Sequence, residues 1–144
     1  MLEKEICFDM DGTLADLYGV PDWLAKLRSF DPTPYKVAKP LLNMAVLARL
    51  LHKAQRLGYR IKVISWSSLE STKEYDIAVT IAKIEWLQSH LPSVEFDDII
   101  ITEYGVPKST LGKGVLFDDN ADVRNEWKEF ALTPNEILDF LRSL

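Results

Sequence analysis

Short apolar runs alternate along this chain with longer stripes at helical spacing. Ile6-Cys7-Phe8 leads into Asp9, Ile61-Lys62-Val63-Ile64 into Ser65, Ile99-Ile100-Ile101 into Thr102, and Val115-Leu116-Phe117 into Asp118. Each run has strand length and ends at a polar residue. Between them, Leu41, Met44, Ala45, Ala48 and Leu51 predict a helix over 41–57, which Gly58 stops. Ile77, Ala78, Ile81, Ile84 and Leu87 predict a second over 71–90, with Pro92 just beyond. Thr133-Pro134-Asn135-Glu136 reads as a capping box with proline at the first helical position, and Ile137, Leu138, Leu141 and Leu144 follow as the apolar face of a last helix. Phe130-Ala131-Leu132 predicts a short edge strand. Strand–helix alternation of this kind predicts an α/β fold, a three-layer Rossmann-like domain around a central parallel sheet. Residues 14–39, interrupted by Pro21, Pro32 and Pro34 with Pro40 just beyond, read as a short insertion after the first strand with one helix near 21–28.

Composition narrows this picture without changing it. With 144 residues, 47% hydrophobic and 27% charged, the chain suits one globular domain. Cys7 is the sole cysteine, which excludes a disulfide framework and points to a reducing, cytoplasmic setting. No apolar run approaches a membrane span, and the start at Glu3-Lys4-Glu5 carries no signal-peptide core, so no membrane partner is expected. The net charge of −5 rules out a chain that is basic throughout. The charge is unevenly spread, however. Residues 21–62 hold nine basic residues against Asp22 and Asp31, and residues 95–139 hold eleven acids against Lys108, Lys113, Arg124 and Lys128.

The chemistry concentrates at the strand ends, where ligands of parallel sheets bind. Asp9-Met10-Asp11-Gly12-Thr13 follows the first strand, and two alternating carboxylates face one site if the chain bends at once, as Gly12 permits. Four fixed positions match by chance on the order of once in 10⁵ starts, so the motif is specific. A second acidic pair, Asp118-Asp119, ends a later strand. Four carboxylates converging without a counter-charge repel, and a hard divalent cation such as Mg²⁺ resolves this. Ser65 alone is a weak signal, more often a cap or turn residue. Its position after an apolar strand, between the two acidic motifs, gives it weight.

In these motifs the chain resembles the phosphatase branch of the haloacid dehalogenase (HAD) superfamily, over residues 5 to about 127. Asp9 to Thr13 is similar to its first motif, Ser65 to its second, and Asp118-Asp119 to its fourth. The third is a lysine upstream of the last core strand; Lys108 is preferred over Lys113, which abuts that strand at its opposite end. The resemblance implies one HAD-like hydrolase domain of small-cap or capless type, with 14–39 as the cap-like insertion. It implies a magnesium-dependent phosphatase working through an aspartyl-phosphate, with Asp9 as nucleophile and Asp11 as acid and base. Asp9, Asp11 (through its backbone carbonyl), Asp118 and Asp119 would hold Mg²⁺. Thr13, Ser65, Trp66 and Lys108 would hold the phosphate.

Other readings compete. A receiver domain also combines acids, a Ser or Thr and a Lys, but its acidic pair precedes the phosphorylated Asp; here the order is reversed. A phosphate-binding regulatory module without turnover is the other alternative. A short insertion leaves the site open, and the basic segment 21–62 then suggests a phosphate on a nucleotide or nucleic-acid end; no protein partner is inferred. Trp23, Trp86 and Trp127 read as packing anchors, Trp66 as a pocket wall, His52 and His90 as surface or capping residues, Cys7 as a small buried hydrophobe and Asp16 as a turn residue.

Overall fold

A computed structural model describes residues 3–144. Five strands form one parallel sheet: β1 (Glu5–Phe8), β4 (Arg60–Trp66), β5 (Asp98–Thr102), β6 (Val115–Phe117) and β7 (Phe130–Leu132), in the order β5-β4-β1-β6-β7. Helices flank it, giving a three-layer, Rossmann-like α/β fold. The chain runs outward from β1 to β4 and β5, then returns to β6 and β7 on the other side. The switch in strand order therefore falls between β1 and β6, where parallel sheets open a crevice at their carboxyl ends. Asp9 and Asp118 follow those two strands.

Alternation along the strands divides the core. Ile6, Phe8, Ile61, Val63, Val115 and Phe117 face one side, beneath α3 (Met44–Arg56), α4 (Lys73–His90) and α6 (Ile137–Arg142). Phe8 and Phe117 stack there with ring centroids 5.3 Å apart. Cys7, Ile64 and Leu116 face the other side, covered by α5 (Ala121–Glu126), Trp127 and the 103–114 loop. That loop presses directly on the sheet at Gly112, where a Cβ would lie 2.8 Å from Ile64 Cδ1 and 2.9 Å from Cys7 Sγ. Burial, then the neighbouring Glu5 carboxylate, pushes the Cys7 thiol up to about 12, leaving it a small apolar filler.

The helical stripes differ in part from those expected. Asn43 caps α3 by accepting from Val46 N, so Leu41 lies outside the helix and exposed, and Leu47, Leu51 and Ala54 are the buried positions. On α4 the buried face is Tyr75, Val79, Ala82, Lys83, Trp86 and Leu87, whereas Ile77 and Ile81 are about half exposed. This helix is apolar on more than one side, so hydrophobic spacing does not single out the buried face. Thr133 and Glu136 form the expected capping box before α6.

The insertion contains a two-stranded antiparallel pair, β2 (Ala15–Asp16) with β3 (Lys39–Pro40), and two helices, α1 (Trp23–Arg28) and α2 (Thr33–Val37). The second helix forms despite Pro32 and Pro34, because proline in a first turn forfeits no intrahelical hydrogen bond. Asp16 accepts from Gly19 N and holds the single helical turn between β2 and α1. Among the described residues no helix is long and apolar enough to cross a membrane.

Candidate active site

The Asp9–Thr13 turn sends its side chains alternately into the cleft and the core. Met10 is 1% exposed and packs in the core, which leaves Asp9 and Asp11 on the cleft side. The Met10 carbonyl accepts from Thr13, Leu14 and Ala15 N, and Gly12 N donates to the Ala15 carbonyl. Gly12 has φ +83°, and a Cβ on it would fall within van der Waals overlap of the Asp119 carboxylate and of Tyr18. Glycine here thus serves both the bend and the entry of Asp119.

Asp9, Asp118 and Asp119 each offer a carboxylate oxygen within 4.8 Å of the others. Lys108 emerges from a single helical turn after Pro107 and is 2% exposed. Its Nζ donates to Asp9 Oδ1 at 3.0 Å and Asp118 Oδ2 at 2.8 Å. Burial opposes its charge, yet the two carboxylates outweigh this and raise its pKa. Lys113 lies elsewhere: its backbone N–H donates to Glu5 at the amino end of β1. Of the two lysines, Lys108 is therefore the one at the carboxylates. Burial and then Asp9 raise the Asp118 carboxyl, while Lys108 lowers it. Asp119 has no ion-pair partner among the described residues. Partial desolvation beside the cleft and then the adjacent Asp9 push this exposed carboxyl up to about 7.

Of the four residues expected to hold phosphate, Thr13 and Ser65 are buried against other side chains. Thr13 is 1% exposed and its hydroxyl donates to Asp9 Oδ2 at 3.0 Å, so it orients that carboxylate instead of facing a ligand. Ser65 is 0% exposed and accepts from Lys83 Nζ at 2.7 Å, behind the cleft wall. In both, a charged side chain takes the hydroxyl: the Asp9 carboxylate for Thr13 and the Lys83 ammonium for Ser65. Trp66 puts its ring in the cleft wall and its Nε1–H on the Val106 carbonyl at 2.8 Å, while its own carbonyl accepts from Lys83 at 2.7 Å. The fourth, Lys108, faces the cleft as expected.

Lys83 is the residue that pattern reading missed. It stands on the buried face of α4, 1% exposed, and its third bond goes to Asp11 Oδ2 at 2.9 Å. The Asp11 carboxylate consequently turns to this lysine and stands outside the Asp9–Asp118–Asp119 trio. Burial raises the Asp11 pKa, Lys83 pulls it down, and the rise prevails. The detectable signal was a second stripe through Tyr75, Val79, Ala82 and Trp86, with a lysine inside it.

The cleft over these carboxylates measures about 660 Å³. Trp23, expected to be a packing anchor, also lines it, with its ring edge-on to Tyr18 at 4.9 Å. Among the described residues, Arg28 is the one basic side chain of segment 21–62 that lines it. No protein-family model matches the chain, and no curated protein matches it.

Proposed function

We propose that this protein is a magnesium-dependent phosphatase, hydrolysing a phosphate monoester through an aspartyl-phosphate on Asp9. The observation that carries this reading is the convergence of Asp9 and Asp11 on one cleft, with Lys108 bridging Asp9 to Asp118. A receiver-like switch has no use for a second carboxylate poised as an acid beside the first.

The donor set fits a hard divalent cation: three carboxylates meet, and Asp119 among them lacks a protein counter-charge. Asp9, Asp118, Asp119 and the Asp11 backbone carbonyl are the groups that would hold it. When bound, magnesium supplies positive charge that offsets the repulsion between a carboxylate nucleophile and a phosphate dianion.

The remaining work falls to the chain itself. Thr13 and Lys108 each hold one Asp9 oxygen, which limits the rotation of the carboxylate and directs it at the cleft. Asp9 attacks phosphorus, forming an acyl phosphate while the ester P–O bond breaks. Asp11 gives a proton to the departing oxygen. In the second step Asp11 takes a proton from water, the water oxygen attacks phosphorus, and the acyl P–O bond breaks to return Asp9 and release phosphate. Lys83 holds Asp11 Oδ2, leaving Oδ1 for these transfers. Lys108 stabilises negative charge at the phosphoryl group from a desolvated position.

The test is hydrolysis of a panel of phosphate monoesters with magnesium, beside Asp9→Asn. Activity that falls by about 10³-fold or more in Asp9→Asn supports the reading. Wild-type activity no higher than that variant's across the panel overturns it in favour of a phosphate-binding module.

A further inference from the structure

The walls of the cleft contain more than phosphoryl transfer requires. The insertion supplies one wall, with Tyr18 and Trp23 in edge-to-face contact at 4.9 Å. The end of β4 and the loop after β5 supply the other, with the Trp66 and Tyr104 ring centroids 4.9 Å apart. Each wall thus presents a pair of touching aromatic rings. Eleven large apolar side chains are exposed among the described residues, and five of them (Tyr18, Leu24, Phe30, Leu69 and Tyr104) line this one cleft. Scattered exposed apolar residues are ordinary; such a concentration in a concave site marks a place for an apolar occupant.

The aromatic surface begins beside the proposed phosphate position. The Trp66 ring centroid lies 5.3 Å from Lys108 Nζ, which is itself 3.0 Å from Asp9 Oδ1. Tyr18 approaches from the insertion side, 2.9 Å from where a Gly12 Cβ would stand. Away from the carboxylates, the charged groups of the lining are Arg28 and Glu70, one of each sign. That leaves no surplus of cations for a second or third phosphate, and no basic track for a nucleic-acid backbone.

We infer that the substrate is a monophosphate whose alcohol carries a planar aromatic body, seated between the Tyr18–Trp23 and Trp66–Tyr104 walls. This deepens the phosphatase reading and rests on it. Two sources share the chemistry: an aryl phosphate, with the ester oxygen on the ring, and a nucleoside monophosphate, with a sugar between ring and phosphate. An acyclic alcohol such as glycerol has no planar face to lay against these walls, and a hexose has only a puckered one.

The experiment compares kcat/KM for phenyl phosphate, nucleoside 5′-monophosphates, glycerol phosphate, a hexose phosphate and a 5′-phosphorylated oligonucleotide, all with magnesium. At least one aromatic class should exceed both aliphatic esters and the oligonucleotide by about tenfold or more. Which aromatic class leads identifies the source. In Tyr104→Ala, a half-exposed position, the preference for aromatic over aliphatic esters should fall severalfold. An aliphatic ester or the oligonucleotide matching the best aromatic substrate overturns the inference while leaving the phosphatase reading intact, and so does an unchanged preference in Tyr104→Ala. Calorimetric binding to Asp9→Asn separates the two readings further. If no ester is hydrolysed, the phosphatase reading fails; tighter binding of aromatic than of aliphatic monophosphates still upholds the aromatic specificity, and equal binding overturns it.

Discussion

Lys83 sits where a charge is costly unless every proton finds an acceptor. It meets that condition with Asp11 Oδ2, Ser65 Oγ and the Trp66 carbonyl at 2.9, 2.7 and 2.7 Å, and it lies over the Tyr35 ring at 4.9 Å. Lys83→Met keeps the volume but strips three acceptors of their donor, with the Asp11 side chain only 16% exposed. Urea denaturation should show a loss of about 3 kcal/mol, as for other buried pairs cut on one side. Adding Asp11→Asn should recover part of it, because no unpaired carboxylate then remains; a double variant as unstable as the two single losses combined would contradict the pairing. Asp9, Asp11, Lys108, Asp118 and Asp119 were legible because chemistry-bearing residues follow apolar strands in a fixed order. Lys83 was not, since a lysine inside a helix reads as solvated surface until its partners from other strands are in place. Thr13 and Ser65 were legible as site residues, but the acceptor or donor each hydroxyl meets depends on three-dimensional neighbours.

At the scale of elements, the loop that carries Lys108 also serves as cover for one face of the sheet. No helix intervenes at Gly112, so the backbone rests on Ile64 and Cys7, and the Trp127 ring lies 3.1 Å from where a Cβ would be. Gly112→Ala should lift this loop, costing about 1–3 kcal/mol as overpacking does. It should also lower kcat more than stability alone explains, because Lys108 is four residues away on the same loop. Ile64→Val removes the Cδ1 atom in the way, so the double variant should regain part of both stability and kcat. Recovery of neither would mean that the loop is positioned by something other than this contact. The strands themselves, the edge strand Phe130–Leu132 included, were readable from short apolar runs ending in polar residues. The interior of the insertion was less so. Its second helix starts at Thr33 with Pro34 in the first turn, and prolines counted as interruptions are there compatible with helix. Spacing does not single out the buried face of α4, because Ile77 and Ile81 form a competing stripe that the fold leaves half exposed. Those two isoleucines illustrate how tertiary packing overrides spacing.

Across the whole molecule, the basic and acidic stretches meet at the amino edge of the sheet, where Lys62 lies in register with Asp98 and Ile61 N donates to Asp97. Arg60 and Lys62 pair with Glu5 at the amino edge of the sheet, and Lys53 on α3 reaches the Arg142 carbonyl of α6. Those three basic residues are engaged away from the cleft, while Arg28 of the same segment lines it. At the carboxyl edge, four carboxylates meet two lysines, which leaves negative charge uncompensated at Asp119. This imbalance has a definite pH signature. The folded state raises the Asp119 pKa from 3.8 to about 7, so folding takes up a proton there, and the associated stability is complete below the unfolded value near 3.8 and disappears as pH rises through about 7. Asp118 and Asp11 are shifted in the same direction. Metal-free protein should accordingly lose this contribution between about pH 4 and about pH 7. A divalent cation competes with those protons, so magnesium should raise Tm more at about pH 8 than at about pH 5. Asp119→Asn, which removes both the titrating group and a ligand, should reduce this pH dependence and weaken the magnesium effect together. Scanning calorimetry of both proteins with and without magnesium checks it, and an equal magnesium shift at both pH values would show that Asp119 is not where the cation and the proton compete.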